Sequence, residues 1–321
     1  MIEPLTTGRS VTTADVEAVE AVTRSLRAQD YRHGGRSPRT FVRAALPAAR
    51  DLLRAPGSAS VTGKLRTAVA DLHNLAGWTA FDTGRVPEAV SLFREALVLA
   101  READDDELTA NVRYRLGRVR LHLDEPVRAL AEFRRGQRAA TASGSALATA
   151  ILCANEAWAL ARIGEATAAT DSLARAHEHF AVADTAAAPG WARFFTSDDL
   201  TVISGVVHAE LALTVDPAHA GTAVAELVSG TDGYGRDMPR SKVFGLIWLS
   251  VAHLVAGDVD RGVETGHRAV DVSAELSSTR AVDRLRGLRD GATRRFADRR
   301  VRELARRITE VTKLAAEDAR G

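Results

Sequence analysis

NLAGWTAFDTGRVPEAVSLFREAL (residues 74–97), YRLGRVRLHLDEPVRALAEFRRGQ (114–137) and ANEAWALARIGEATAATDSLARAH (154–177) superpose without gaps. Ala89, Ala129 and Ala169 share one column, and Phe93, Phe133 and Leu173 share another, each at a spacing of 40. Gly84, Asp124 and Gly164 fall where a turn should separate two helices. Two looser copies follow at 204–227 and 243–266. Each copy reads as two antiparallel helices. Pro87, Pro126 and Pro217 stand near the start of the second helix, where a missing N–H costs nothing. The small residue in the alanine column lets the two helices approach closely. The apolar residue one turn later lies on the same face and fills the space between neighbouring pairs. No such pair buries its apolar face alone, so the pairs must stack.

The columns Gly77, Gly84, Ala89, Phe93 and Ala96, then Gly117, Ala129 and Phe133, then Gly164, Ala169 and Ala176, resemble the tetratricopeptide repeat. The resemblance implies an all-α fold: a right-handed superhelical solenoid of helix pairs with capping helices at both ends. The family's usual period is about 34 residues. The surplus here falls around READDDELTA and TASGSALAT, which predicts lengthened helices or loops. The expected organisation is an N-terminal capping pair and linker over 1–63, a repeat array of about five pairs over 64–278 with an insertion at 184–200, and C-terminal helices over 279–321.

At the N-terminus, residues 14–29 place Val16, Val19, Val22 and Leu26 on one helical face. A Gly34-Gly35 loop and a second helix over 39–55, bent at Pro47, are expected next. A separation of about eight residues is longer than a helix-turn-helix turn, which argues against direct DNA reading. Residues 56–63 read as a linker. The tail supplies Leu285, Leu288, Val301, Leu304, Ile308 and Val311 to apolar faces. It carries thirteen Arg or Lys against seven Asp or Glu over 280–320. The signs alternate and aromatics are sparse, the pattern of a solvated capping helix rather than a nucleic-acid arm.

Over all 321 residues the net charge is +1, which excludes a globally basic nucleic-acid binder. Cys153 is the one cysteine, so no intrachain disulfide can form. It lies in an apolar helical run and reads as a small core residue. The longest apolar stretch, 243–257, is too short to cross a bilayer, and the start shows no signal-peptide pattern. No membrane contact and a cytoplasmic location are expected. The sequence has no P-loop, no Gly-x-Gly-x-x-Gly, no Gly-x-Ser-x-Gly and no His-Glu-x-x-His. His177 and His179, two apart on a helix, point to different faces and cannot share a metal. No catalytic residue, metal or cofactor is expected.

What remains is a surface. In stacked pairs the first helices line the concave side. The inward candidates are Asn74, Trp78 and Phe81, then Asn111, Tyr114, Arg115 and Arg118, then Asn155, Trp158 and Arg162, then His208. Asparagine carries a donor and an acceptor and so matches a peptide backbone. Tyr and Trp add contact area at low entropy cost. The arginines favour an acidic group. For the two tryptophans, packing between repeats is the competing role. The segment APGWARFFTSDDL (188–200) breaks the spacing and concentrates Trp191, Phe194 and Phe195, three of 16 aromatics. It reads either as a lip closing over the groove or as a plug. Thr196 or Ser197 should cap the next helix, with Asp198 and Asp199 in its first turn.

YRHGG (31–35), the stretched repeats and PGWARFFTSDDLTVISG (189–205) together resemble the C-terminal sensory region of actinobacterial helix-turn-helix regulators of the XRE type. The resemblance implies repeats that bind a small molecule, a peptide or a partner protein and control a homodimer. It also implies an N-terminal DNA-binding domain of roughly 55–65 residues, whereas about ten precede the first helix here, so the chain is expected to be either a fragment of such a regulator or a regulator-like protein without its own reader. The sequence reading is therefore a non-catalytic, ligand- or peptide-sensing interaction module acting through its concave groove. The alternatives are a protein–protein scaffold without a small ligand, or an accessory or enzymatic factor of a biosynthetic cluster.

Overall fold

The computed structural model describes residues 9–33, 36–235, 238–274, 276, 279–293 and 298–318. Among these residues it holds fourteen α-helices, one 3-10 turn and no strand. The chain divides into two compact units, Met1–Leu152 with His179–Phe194, and Cys153–Glu178 with Phe195–Gly321. The third copy, 154–177, lies wholly in the second unit.

The first unit contains α1 (Thr13–His33), α2 (Arg36–Leu52), α3 (Ala59–Asp82), α4 (Val86–Glu102), α5 (Asp106–His122), α6 (Pro126–Ser143) and the start of α7 (Ala146–Arg162). The expected turn column has a common geometry. Gly84 and Asp124 take positive φ of 77° and 59°. Arg85 N donates to Ala80 O, and Glu125 N to Arg120 O, both at 2.9 Å. These bonds satisfy carbonyls that the helix end would otherwise orphan, the αL ending that glycine or a short polar residue adopts at least cost. Pro126 is the first residue of α6 and Pro87 the second of α4. α3 packs on α4, α4 on α5, and α5 on α6, while α1 and α2 both pack on α3. One apolar core runs from Val11 through Val16, Leu46, Leu72, Phe93 and Leu108 to Val119.

Several boundaries differ from the sequence reading. The surplus residues lengthen the helices: only Ala103–Asp105 separate α4 from α5, and only Gly144 and Ser145 separate α6 from α7. The linker is shorter than 56–63, because Ser58 caps α3 and its Oγ accepts from Val61 N at 3.3 Å. α1 continues to His33 and α2 opens at Arg36, so the interval between them is not the expected eight residues, and loop length no longer separates this pair from a helix-turn-helix. The expected Gly34-Gly35 loop lies outside the described residues. α2 carries Pro47 in its interior.

The second unit contains the end of α7, most of α8 (Ala166–Ala181), α9 (Ser197–Thr214), α10 (Ala220–Gly233), α11 (Pro239–Ala256), α12 (Val259–Ala274), α13 (Thr279–Thr293) and α14 (Arg299–Asp318). Gly164 repeats the turn geometry at φ 81°, with Glu165 N donating to Leu160 O at 3.0 Å. Thr196 caps α9 in a capping box: Asp199 N donates to Thr196 Oγ1, and Thr196 N donates to Asp199 Oδ2 at 3.1 Å. Pro217 does not open α10. It opens a single 3-10 turn (Pro217–His219) that precedes it. α13 and α14 close a second core of Val243, Ile247, Val270, Leu285, Leu288, Leu304 and Ile308. The arginines of α14 pair with acids on its own surface and on α12: Arg306 with Glu303 and Glu310, Arg307 with Asp271, and Arg300 with Asp260. Residues 294–297, within the expected C-terminal helices, lie outside the described residues. No described helix is long and apolar enough to cross a membrane.

Candidate functional site

In the first unit the structure gathers Asn74, Trp78, Asn111, Tyr114, Arg115, Trp191 and Phe194 into one cluster. Asn74 on α3 is fully buried, and its amide donates to Asn111 Oδ1 on α5 at 3.0 Å. Arg115, four residues after Asn111, donates to the backbone carbonyl of Asn74 at 2.9 Å. Its guanidinium lies 5.0 Å from the centre of the Trp78 ring, a cation–π contact. Trp78 in turn meets Phe81 edge-on at 5.7 Å. Arg118 is buried on the same helix.

Two buried cations meet behind this cluster. Arg27 on α1 pairs with Asp71 on α3 at 2.5 Å. Burial opposes the charge of Arg27, but Asp71, Tyr31 and Asp30 outweigh it and hold its pKa above the ordinary arginine value. Arg115 lacks such a partner. Burial, and secondarily the charge of Arg27, push it down to about 10, so it is still a cation at neutral pH. The region thus sets two guanidiniums against the carboxylates of Asp71 and Asp30, and its guanidinium N–H groups suit an acceptor-rich guest.

The 182–196 segment between α8 and α9 is not helical. Its residues 191–194 lie over α5. The Phe194 ring stacks on Tyr114 at 5.6 Å and 17°. Asn111 Nδ2 donates to the backbone carbonyl of Trp191 at 3.4 Å. The space left among Asn111, Tyr114, Ile151, Leu152, Trp191 and Ala192 is about 10 Å³, room for about one water. The segment thus covers the face that the sequence reading took for the recognition surface, over which it expected either a lip or a plug. The filling is imperfect. Asn74 Oδ1, Arg27 Nη1 and Trp191 Nε1 are buried without a protein partner, and each such atom costs about 1–3 kcal/mol.

A separate trough of about 400 Å³ opens beside α2, α3 and α4, lined by Arg50, Leu53, His73, Arg94, Glu95 and Val98. His73 lies buried at its base. Arg50 Nε donates to His73 Nε2 at 3.1 Å, and His73 Nδ1 faces Val69 O at 2.9 Å. Burial holds the pKa of His73 below the ordinary value.

The remaining predicted residues belong to the second unit. Trp158 is buried, and its Nε1 donates to Glu210 Oε1 at 3.1 Å. Arg162 stands 3.5 Å from the same carboxylate oxygen. Phe244 and Trp248 surround Trp158 at 5.6 and 6.1 Å. Asn155 is buried on the same helix. His208 pairs with His219, Nδ1 to Nδ1 at 3.2 Å. That contact is a hydrogen bond only when at most one ring is charged. Burial, and then His219, keep the pKa of His208 low. Cys153 is buried and its thiol is pushed up by burial, the environment of an inert core cysteine. Among the described residues no three His, Cys, Asp or Glu side chains converge on a metal-sized space.

The tetratricopeptide-repeat family profile matches residues 67–142. That range holds most of α3 through α6, and so Asn74, Trp78, Asn111, Tyr114 and Arg115. No curated protein matches the chain. Twenty-two solved chains do. One is the "Crystal Structure of Rap Protein Complexed with Competence and Sporulation Factor", which superposes with a TM-score of 0.53 over 94% of this chain and 99% of that one. At 12% identity the likeness is one of fold. Among the described residues the protein is all-helical, and its fold is tetratricopeptide-like.

Sequence reasoning missed Arg27, Asp30, Asp71 and Glu210. A signal existed for two of them. Val16, Val19, Thr23, Leu26 and Asp30 form an i, i+3, i+4 stripe, so a charge stands on an apolar face, with Arg27 beside it. Both are buried. Asp71 and Glu210 gave no comparable signal.

Proposed function

We propose that this chain is a non-catalytic recognition module that binds a peptide or protein segment on the α3 and α5 helices of its first unit. The observation that carries the proposal is the row Asn74–Asn111–Tyr114, set on the first helices of successive pairs and backed by Arg115 and Arg27. This row offers amide donors and acceptors, an aromatic platform and guanidinium donors, the complement of an extended backbone with acceptor groups. The overlap of this row with the repeat match supports the reading. So does the shared fold with a Rap protein solved in complex with competence and sporulation factor. The titratable groups elsewhere support a non-catalytic role: Cys153 is held as a thiol, and Asp199 serves a helix cap. The finer reading is regulatory sensing in the cytoplasm, with occupancy of the face controlling a homodimer. It is supported by the likeness of 31–35 and 189–205 to XRE-type sensory regions.

The test is selection of displayed random peptides on the immobilised protein, followed by calorimetric titration of those recovered. Binding that weakens by about tenfold or more in Asn111→Ala or Tyr114→Ala, each worth roughly 1.4 kcal/mol, fits the proposal. Recovered peptides that bind both variants as they bind the parent would refute it.

A second reading, a scaffold with no small ligand, is favoured by the open trough beside Arg50, Arg94 and Val98. Val98 is 55% exposed at its rim. On that reading Arg94→Glu, and not Tyr114→Ala, would abolish partner capture.

A further inference from the structure

We infer that residues 188–194 occupy the recognition face as an internal stand-in for its ligand, and that this ligand is a peptide presenting a backbone carbonyl to Asn111 and an aromatic ring to Tyr114. The inference rests on the recognition reading above and specifies its ligand class.

The contacts are those a bound peptide would make. Asn111, already fixed by the amide of Asn74, spends its own N–H on a backbone carbonyl eighty residues away rather than on a side chain. An amide that reads backbone accepts many sequences. Tyr114 stacks on a ring supplied by the same segment three residues on, so one carbonyl and one aromatic define the register. Gly190 brings bare backbone past the guanidinium: a Cβ built there would lie 3.9 Å from Arg27 Nε and meet nothing else within 4 Å. Arg193 Nε donates to Ala188 O at 2.9 Å, which closes 188–193 on itself as a compact turn.

Ala188 and Ala192 are buried and Trp191 packs against the unit's core, but the polar hold on the stand-in is weak and its tether ready. Its hydrogen bond to Asn111 is long, at 3.4 Å. Two polar atoms beneath it, Asn74 Oδ1 and Arg27 Nη1, stay unpartnered. An external peptide that gives an N–H to the first and an acceptor to the second makes bonds that 188–194 does not. On the N-terminal side, residues 184–187 are exposed and organised locally by Asp184, whose Oδ1 accepts from Ala186 N and Ala187 N at 3.1 Å. Release of 188–194 therefore breaks few other contacts in that stretch. A tethered occupant competes at an effective concentration of about millimolar, so the resting protein discriminates against weak peptides.

The experiment uses the full chain and a fluorescein-labelled peptide of residues 188–196, APGWARFFT, read by anisotropy. Three proteins are compared: the parent, Trp191→Ala/Phe194→Ala, and that double variant with Asn111→Ala added. The expected result is that the double variant binds the peptide at least about tenfold more tightly than the parent, because the internal competitor is gone, and that Asn111→Ala removes the gain. A double variant that melts cooperatively and binds no better than the parent overturns the inference. If the double variant does not melt cooperatively, Phe194→Ala alone takes its place and the same two outcomes decide. Peptides selected on the parent that need Asn111, yet bind parent and double variant equally, would overturn the internal stand-in while leaving the recognition reading intact. Selected peptides indifferent to Asn111 but needing Tyr114 would overturn the carbonyl-reading stand-in, and peptides indifferent to both would end both readings.

Discussion

Phe133 occupies the space that a side chain on Gly117 would need: a Cβ built on Gly117 would lie 2.2 Å from Phe133 Cε1. The preceding repeat has the same arrangement, with Gly77 and Phe93 at 2.8 Å. In the third copy the two columns hold Ala157 and Leu173, so a larger first residue goes with a second that has no ring. The pair conserves volume where two helices cross. Gly117→Ala should cost about 1–3 kcal/mol by overpacking. Adding Phe133→Leu should recover part of that loss. Urea unfolding of the two single variants and the double variant measures the coupling. Strictly additive losses would show that the two columns do not share a space.

Trp158 is held by its hydrogen bond as well as by its rings. Trp158→Phe keeps most of the aromatic packing against Phe244 and Trp248 but removes the N–H that Glu210 accepts. The buried carboxylate then depends on Arg162 alone among these partners. A loss of about 1–3 kcal/mol is expected, read as a lower urea midpoint with an unchanged slope. An unchanged midpoint would mean that the Trp158–Glu210 hydrogen bond contributes nothing to stability.

Asp199 gives a pH signature. Burial pushes its pKa up to about 6, against the hydrogen bonds from Thr196 and Tyr234 that lower it. The folded-state value thus lies above the ordinary 3.8. The folded protein binds this proton more readily than the unfolded chain does. The associated stability is present below about pH 4 and is lost as pH rises through about 6. Buried His73, with its pKa lowered, acts in the opposite sense: its contribution is present above about 6.5 and is lost as pH falls. The two are separated by comparing the parent with Asp199→Asn, in which His73 cancels. The stability of the parent relative to the variant should fall by about 1–3 kcal/mol between pH 4 and 6. A constant or rising difference would contradict the assignment.

The repeat columns made the helix pairs readable, because Gly84, Asp124 and Gly164 mark turns whose φ only a few residue types tolerate, and the Ala and Phe columns mark the crossings. The Thr196 cap was readable from local chemistry alone. Helix ends without such markers were not: Ser58 is one small polar residue in a run of them, and Gly34-Gly35 invites a longer break than the neighbouring helices leave. The site was legible in residue type but not in exposure. Asn74, Arg115 and Trp158 were assigned to an open inner face from register, and the structure buries all three. Register gives the direction of a side chain. It does not give what covers it, and the cover over Asn111 and Tyr114 comes from a segment eighty residues on. Arg27 was hidden because its charge is stabilised by Asp71 on another helix, a pairing that no spacing within α1 reveals.

The central claim is that α3 and α5 hold a peptide in the place now taken by residues 188–194. Amide hydrogen exchange of the parent protein, with and without a peptide selected on it, tests this most directly. The account predicts slower exchange along α5 around Asn111–Arg115 together with faster exchange over 190–194. Protection confined to other helices, with 190–194 unchanged, would contradict it.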